Sequence, residues 1–257
     1  MDFDWTSFWH YLFQPTSVYL HGLWLTLSLS VVSQSLGTVL GVAAALGTQS
    51  RFRAVRMLVA FYTWLFRGTP LLVQIVFIYT ALAAGGIFRF QDIDLGFVII
   101  PGNIQAAIVA LSLNEGAYMT EIIRAGILAV DNGQTEAAKS LGMTYFKYMR
   151  RIVLPQAIRI IVPPLGNEFN AMLKNTTLVS VIGVPELLLA TQMITSATFR
   201  VFELYTVVAL YYLTLTTLWG LVQARLERRY GEPSRNVPQN PSLIGGLRKM
   251  LARETVR

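Results

Sequence analysis

Residues 18–47 read VYLHGLWLTLSLSVVSQSLGTVLGVAAALG, a run with no Asp, Glu, Lys or Arg. A hydrocarbon core about 30 Å thick is crossed by about 20 helical residues, so this stretch is long enough to span a bilayer. Comparable apolar blocks follow at 57–84, 99–128, 158–192 and 201–222. The block at 158–192 is interrupted by polar residues and prolines and has room for an extra re-entrant or interfacial piece. In lipid every backbone polar group needs an internal partner, so these blocks predict an all-α integral membrane protein with about five transmembrane helices.

The composition agrees. Of 257 residues, 54% are hydrophobic and 14% charged, whereas soluble domains carry about 25% charged residues. With no cysteine, disulfides, thiolate catalysis and Cys-based metal sites are excluded. His10 and His21 have no acidic or histidine partner at ligand spacing, so no metal site is expected there.

A formal net charge of +7 raises the question of nucleic acid, but the basic residues mark topology instead. Residues 1–17 contain no Lys or Arg; 85–102 contain only Arg89 and 195–202 only Arg200. These segments are expected outside. The short loop after the first block holds Arg51, Arg53 and Arg56. Segment 129–159 holds Lys139, Lys147, Arg150, Arg151 and Arg159, and Arg225, Arg228, Arg229 and further arginines follow the last block. These are expected in the cytoplasm, which places the N-terminus outside and the C-terminus inside.

Trp5, Phe8, Trp9 and Leu12 recur at helical spacing and predict an interfacial helix within residues 1–17. Asp2 and Asp4 replace the basic start of a secretory signal, so no cleavage is expected. Residues 18–228 form the expected transmembrane domain. Residues 229–257, rich in Pro, Asn, Ser and Arg, read as a basic, mobile cytoplasmic tail.

Within the basic loop, residues 133–155 read GQTEAAKSLGMTYFKYMRRIVLP. Thr135 is expected to cap a short helix starting at Glu136, whose carboxylate suits the positive end of the helix dipole, and Gly142 to end it in a left-handed conformation. Small Ala137 and Ala138 keep such a helix slim enough for a partner's cleft. Leu141, Met143, Tyr145 and Phe146 offer apolar anchors on a segment otherwise facing water, and such groups call for a partner.

Glu136, Ala137, Ala138, Gly142, Ile152, Leu154 and Pro155 follow the pattern E-A-A-x3-G-x9-I-x-L-P. The stretch resembles the EAA loop of bacterial ABC importer permeases. Phe66 to Leu71 (FRGTPL), Gly116-Ala117-Tyr118 with Glu121-Ile122 and Arg124, and Asn175-Thr176-Thr177-Leu178 are similar to the polar amino-acid uptake branch of that family. The resemblance implies a type I ABC importer-like fold in the bacterial inner membrane. It implies a multi-pass permease whose loop, through Glu136, Ala137, Ala138, Leu141, Gly142 and Met143, couples to an ATP-binding subunit present in two copies. It further implies a second permease chain, identical or related, and an extracytoplasmic amino-acid-binding protein. No cofactor is expected on this chain, with ATP and Mg held by the partner ATPase, and no nucleic acid among its partners.

Polar residues inside the blocks are the candidates for a substrate pathway, because a charge at the bilayer centre costs about 2.5–3.5 kcal/mol and faces a partner or a wet cavity. Asn114, Tyr118 and Glu121 fall within about 60° of one another on one helix face, with Glu115 beside them. Glu121 and Arg124, three residues apart, either line that face or pair with each other. Glu115 has no basic residue within a turn and is the freer carboxylate for a ligand's ammonium group. Asn167, Asn170 and Lys174 share a face that meets either a zwitterion or a neighbouring helix. Pro163 and Pro164, with Gly166, predict a break just before that face. Arg67, in the interruption Arg67-Gly68-Thr69-Pro70, meets either a substrate carboxylate or an acidic neighbour.

No G-x-x-x-x-G-K-[ST], G-x-S-x-G or H-E-x-x-H occurs, so the chain is read as neither the ATPase nor a hydrolase or metalloprotease of those kinds. An ion-gradient transporter or channel commonly shows paired repeats with matching broken helices, and five unequal blocks do not divide that way.

Overall fold

Thr16 starts the first long helix, and Pro70 ends the one that follows it. In a computed structural model describing residues 3–96 and 99–230, the Thr16 hydroxyl accepts from the backbone N–H of Tyr19 (3.4 Å) and starts a 32-residue helix, α2 (Ser17–Thr48). Before it lies α1 (Trp5–Phe13), capped by Asp4. After it, α3 (Arg53–Gly68) and α4 (Leu71–Ala84) meet at a bend of 108°. Pro70 lacks an N–H and pushes Thr69 into the extended region (φ −119°, ψ 148°), so the helix cannot pass through. The interruption expected at residues 67–70 is therefore a sharp corner. A two-residue antiparallel pairing, β1 (Ile93–Asp94) with β2 (Ile99–Ile100), leads into α5 (Gly102–Leu128).

The second half begins with α6 (Asn132–Ser140). It continues as one helical run, α7 (Tyr145–Ile182), with a π-turn at Met149–Val153 and a 3₁₀ end at Thr176–Ile182. Gly183 (φ 76°) ends α7, α8 (Leu187–Thr198) leaves at 52°, and α9 (Val201–Tyr230) closes the described chain. The expected break at Pro163–Pro164 does not occur, because helix runs continuously from Leu154 to Asn175. Two prolines remove two backbone donors, a loss that helices packed around α7 tolerate. α5 and α9 both lie against it, and the carbonyl of Gly166 accepts from Trp219 Nε1 (2.8 Å). The expected tail at 229–257 falls outside the described residues from 231 onward, and α9 carries the first two of its positions.

Among the described residues, α2 and α9 are long and apolar enough to cross a membrane, and up to four spans result if each bent pair counts as one. The expected third span, α5, is not among them. At 1.5 Å per residue it is about 40 Å long, so length is not the obstacle. Asn103, Gln105, Asn114, Glu115, Glu121 and Arg124 dilute its apolarity, and it is surrounded by α2, α3, α4 and α7. Protein, rather than lipid, is its immediate solvent.

The seam between α2 and α5 has no room for a side chain at two positions of α2. A Cβ at Gly41 would overlap the Cβ of Met119, and one at Gly37 would come within 2.6 Å of Glu115 Cβ. Gly41→Ala is expected to cost about 1–3 kcal/mol by forcing the helices apart. It should lower the thermal unfolding midpoint in detergent. Gly220→Ala, at a position with open space around it, should be neutral or stabilise by up to about 1 kcal/mol. Equal midpoints for the two variants would refute the tight seam.

Candidate functional site

Two groups of predicted residues come together. The first is the loop after α5. Asp131 Oδ1 accepts from the Gly133 N–H at 2.7 Å and caps α6, so the helix starts four residues before Glu136 and Thr135 is not its cap. Aspartate competes well for that position, and Thr135 lies inside the helix. The other end is as expected: Gly142 is left-handed (φ 73°), its N–H donates to Lys139 O (2.9 Å), and Met143 N–H donates to Ala138 O (3.0 Å). This paired closure satisfies two orphan carbonyls.

The loop has its own core. Ala138 is 2% exposed and packs with Val130, Tyr148, Val153 and Ala157, with Met143 against them. Small size at Ala138 thus lets α6 lie on the end of α5 and the start of α7, while Ala137 and Glu136 face outward. Gln156 Nε2 donates to Gln134 Oε1 (2.6 Å) and ties α6 to α7. Leu141 (82%), Phe146 (72%) and Tyr145 remain exposed on this braced platform.

The second group lies along α3, α5 and α7. Asn114 is buried and points at the α3–α4 corner, where its Nδ2 donates to Phe66 O (3.1 Å) and Gln74 Oε1 (3.0 Å). Gln74 in turn donates to Phe66 O and to both Thr69 oxygens within 3.0 Å. Together they satisfy the carbonyls freed by the corner. Glu115, 3% exposed, turns toward α2, where Gln34 Nε2 donates to its Oε1 at 2.7 Å. The Glu121 and Arg124 side chains pair with each other at 2.7 Å, half-exposed.

Others stay open. Tyr118 is exposed, with the Arg67 guanidinium 5.6 Å from its ring centre. Asn167 is exposed and accepts from Gln223 Nε2 (3.0 Å). Asn170 keeps a buried Oδ1 without a partner among the described residues. Lys174 is exposed with no carboxylate within ion-pair distance among them.

Sequence reasoning passed over Glu168. Half-buried on α7, it has no side-chain hydrogen-bond or ion-pair partner among the described residues. The available signal was a lone acid between Asn167 and Asn170 in an apolar block. Glu186 was also missed. Fully buried, it accepts from Leu188 N–H (2.9 Å), Leu189 N–H (2.8 Å) and Tyr212 O–H (2.8 Å), which makes it the cap of α8 and its tie to α9.

Residues 37–232 match the family described as binding-protein-dependent transport system inner membrane component. The chain is 38% identical to the arginine transport system permease protein ArgU of Corynebacterium glutamicum, over 90% of this chain and 73% of that one. It is 34% identical to the glutamine transport system permease protein GlnP of Escherichia coli K12, over 89% and 98%. Its fold superposes on the crystal structure of an amino acid ABC transporter with histidines at a TM-score of 0.78 and 40% identity, covering 89% of this chain and all (100%) of that one.

The geometry separates stapling residues from open ones, and stability measurements test the division. Asn114→Ala strips partners from buried groups at the corner and should cost about 1–3 kcal/mol. Arg67→Gln, at an exposed position, should stay within about 0.5 kcal/mol of wild type. Thermal unfolding in detergent compares them; a larger loss for Arg67→Gln than for Asn114→Ala would reverse the assignment.

Proposed function

As a member of the family of binding-protein-dependent transport system inner membrane components, to which this chain belongs, it is the membrane permease of an importer, and we propose that its cargo is a polar amino acid. It is a transport subunit and not an enzyme; ATP is hydrolysed by a separate subunit and a solute-binding protein belongs to the same system.

In this reading the chain crosses the inner membrane five times, as α2, the bent pair α3–α4, α5, α7 with α8, and α9, with the N-terminus outside and the C-terminus in the cytoplasm. α1 lies at the outer interface. Two permease chains, identical or related, enclose the pathway, and two copies of the ATP-binding subunit sit beneath them, holding ATP and Mg, while this chain binds no cofactor. An extracytoplasmic binding protein delivers the amino acid.

The observation that carries the coupling role is the braced platform of α6, closed at Gly142, with Leu141 and Phe146 presented to solvent. Apolar groups on a rigid cytoplasmic element bury area only against another protein. Glu136 and Ala137 face outward beside them, while Ala138 and Met143 hold the element to its base. The pathway reading rests on the side chains left open along α3, α5 and α7. Arg67 suits a carboxylate and Glu168 an ammonium group, so the pair fits both ends of a zwitterion. Tyr118 stands beside Arg67, Asn167, Asn170 and Lys174 share another face of α7, and Asn114, Glu115 and Glu121 support the wall through Gln74, Gln34 and Arg124. Arginine and glutamine systems among the relatives support a polar amino acid as cargo.

Proteoliposomes containing this chain with its ATP-binding subunit and binding protein provide the test. Amino-acid-loaded binding protein should accelerate ATP hydrolysis, and uptake should require ATP. Leu141→Ser with Phe146→Ser should weaken ATPase retention by about 1–2 kcal/mol for each lost anchor, with membrane insertion unchanged. Uptake that continues without the ATPase would sink the reading, and undiminished copurification of the double variant would sink the coupling role.

A further inference from the structure

The short turn between α2 and α3 takes no part in the loop or in the polar seam, yet it concentrates charge. Arg56 is used internally: its Nη1 donates to Ser50 O at 2.7 Å and to Arg51 O at 3.3 Å, folding the turn back on itself. That leaves Arg51 and Arg53 projecting. Both are exposed, and neither lies within ion-pair distance of a carboxylate among the described residues. Arg51 also stands over the ring of Phe52, 4.7 Å from its centre, and that ring is itself exposed.

The depth of the turn is set by what lies above it. On α3, steps of four, four and three residues place Arg53, Met57, Phe61 and Trp64 on one face. Met57 is 61% exposed, Phe61 57% and Trp64 69%. In a membrane permease an outward apolar stripe of this kind stands against acyl chains. The arginine one turn below it therefore stands at the headgroup layer, where aromatic rings and long cationic side chains settle. An arginine fork matches phosphate oxygens two at a time, and basic residues flanking a span attract anionic lipid.

We propose that Arg51, Phe52 and Arg53 form a binding site for the phosphate headgroup of an anionic phospholipid, with Met57, Phe61 and Trp64 receiving its acyl chains. The continuity of Arg53, with Arg51 beside it on the turn, with the apolar stripe is what selects a lipid over a soluble acidic partner, which would have no use for the stripe. The site rests on the membrane placement of α2 and α3 and is independent of the amino acid carried.

The test uses the permease with its ATP-binding subunit in nanodiscs, either of phosphatidylcholine alone or of a phosphatidylcholine–phosphatidylglycerol mixture. Association of spin-labelled phosphatidylglycerol is measured at low salt. Wild type should retain phosphatidylglycerol over phosphatidylcholine. Arg51→Gln with Arg53→Gln should weaken that association roughly 20- to 30-fold, about five-fold per arginine. Arg51→Lys with Arg53→Lys should keep most of it, and ATP hydrolysis in phosphatidylcholine alone should match wild type for both pairs. Undiminished phosphatidylglycerol association in the glutamine pair would overturn the site. So would loss of a protein subunit from that pair with lipid association intact, which would make the turn a protein contact.

Discussion

The close packing of α5 against α2 is the constraint on which the rest of the structure depends. α5 carries two carboxylates and several amides in a region where an unpaired charge costs about 2.5–3.5 kcal/mol, so it cannot stand in lipid unassisted. Gly37 and Gly41 remove side chains from α2 where Glu115 and Met119 press in, and backbones brought this near make a dry seam worth several favourable contacts. Within it Gln34 meets Glu115, and on the other flank the hydroxyl of Tyr62 donates to Leu113 O at 2.6 Å. Once α5 is enclosed, α3, α4 and α7 have a wall to pack on.

That enclosure divides the polar residues of the membrane region by what they must satisfy. A helix corner or a helix start exposes backbone groups that water cannot reach, and nearby side chains are recruited to them. Asn114 and Gln74 serve the corner at Thr69–Pro70, and Glu186 serves the start of α8. The Glu121–Arg124 pair neutralises itself at short range. What remains is a smaller set, Arg67, Tyr118, Glu168, Asn170 and Lys174, whose side chains have no hydrogen-bond or ion-pair partner among the described residues.

Such a division is only partly visible in sequence. Length and apolarity revealed the blocks, and the spacing around Gly142 revealed the loop and its left-handed end, because both are properties of neighbouring residues. Helical spacing also correctly placed Glu121 within reach of Arg124. It could not say that Asn114 faces a corner made by α3 and α4 or that Glu115 faces Gln34, since a helical wheel fixes angles within one helix and says nothing of which helix stands opposite. Proline reasoning failed at Pro163–Pro164 for a related reason: the local penalty was real, but neighbouring helices decided whether the chain bent. Thr135 lost the cap to Asp131 because two competent residues stood four apart and only packing of the loop chose between them. Glu168 escaped notice because nothing in its own helix pairs with it, and helical spacing does not tell what stands opposite a lone acid.

The two candidate regions are mechanically joined, and this bears on how a permease of this fold can work. α7 enters the loop core at Tyr148 and Val153 and runs on without a break to Glu168 and Asn170. Twenty residues of helix span about 30 Å, so on the proposed coupling role a shift imposed on α6, which is tied to α7 through Ala138 and the Gln134–Gln156 hydrogen bond, would be carried along α7 toward those residues. The π-turn at Met149–Val153 lies at the base of that helix, a place where one extra residue per turn leaves the ladder easiest to adjust. On the coupling role proposed above, the uninterrupted passage through Pro163–Pro164 would carry such a displacement to the polar residues, where a hinge would absorb it.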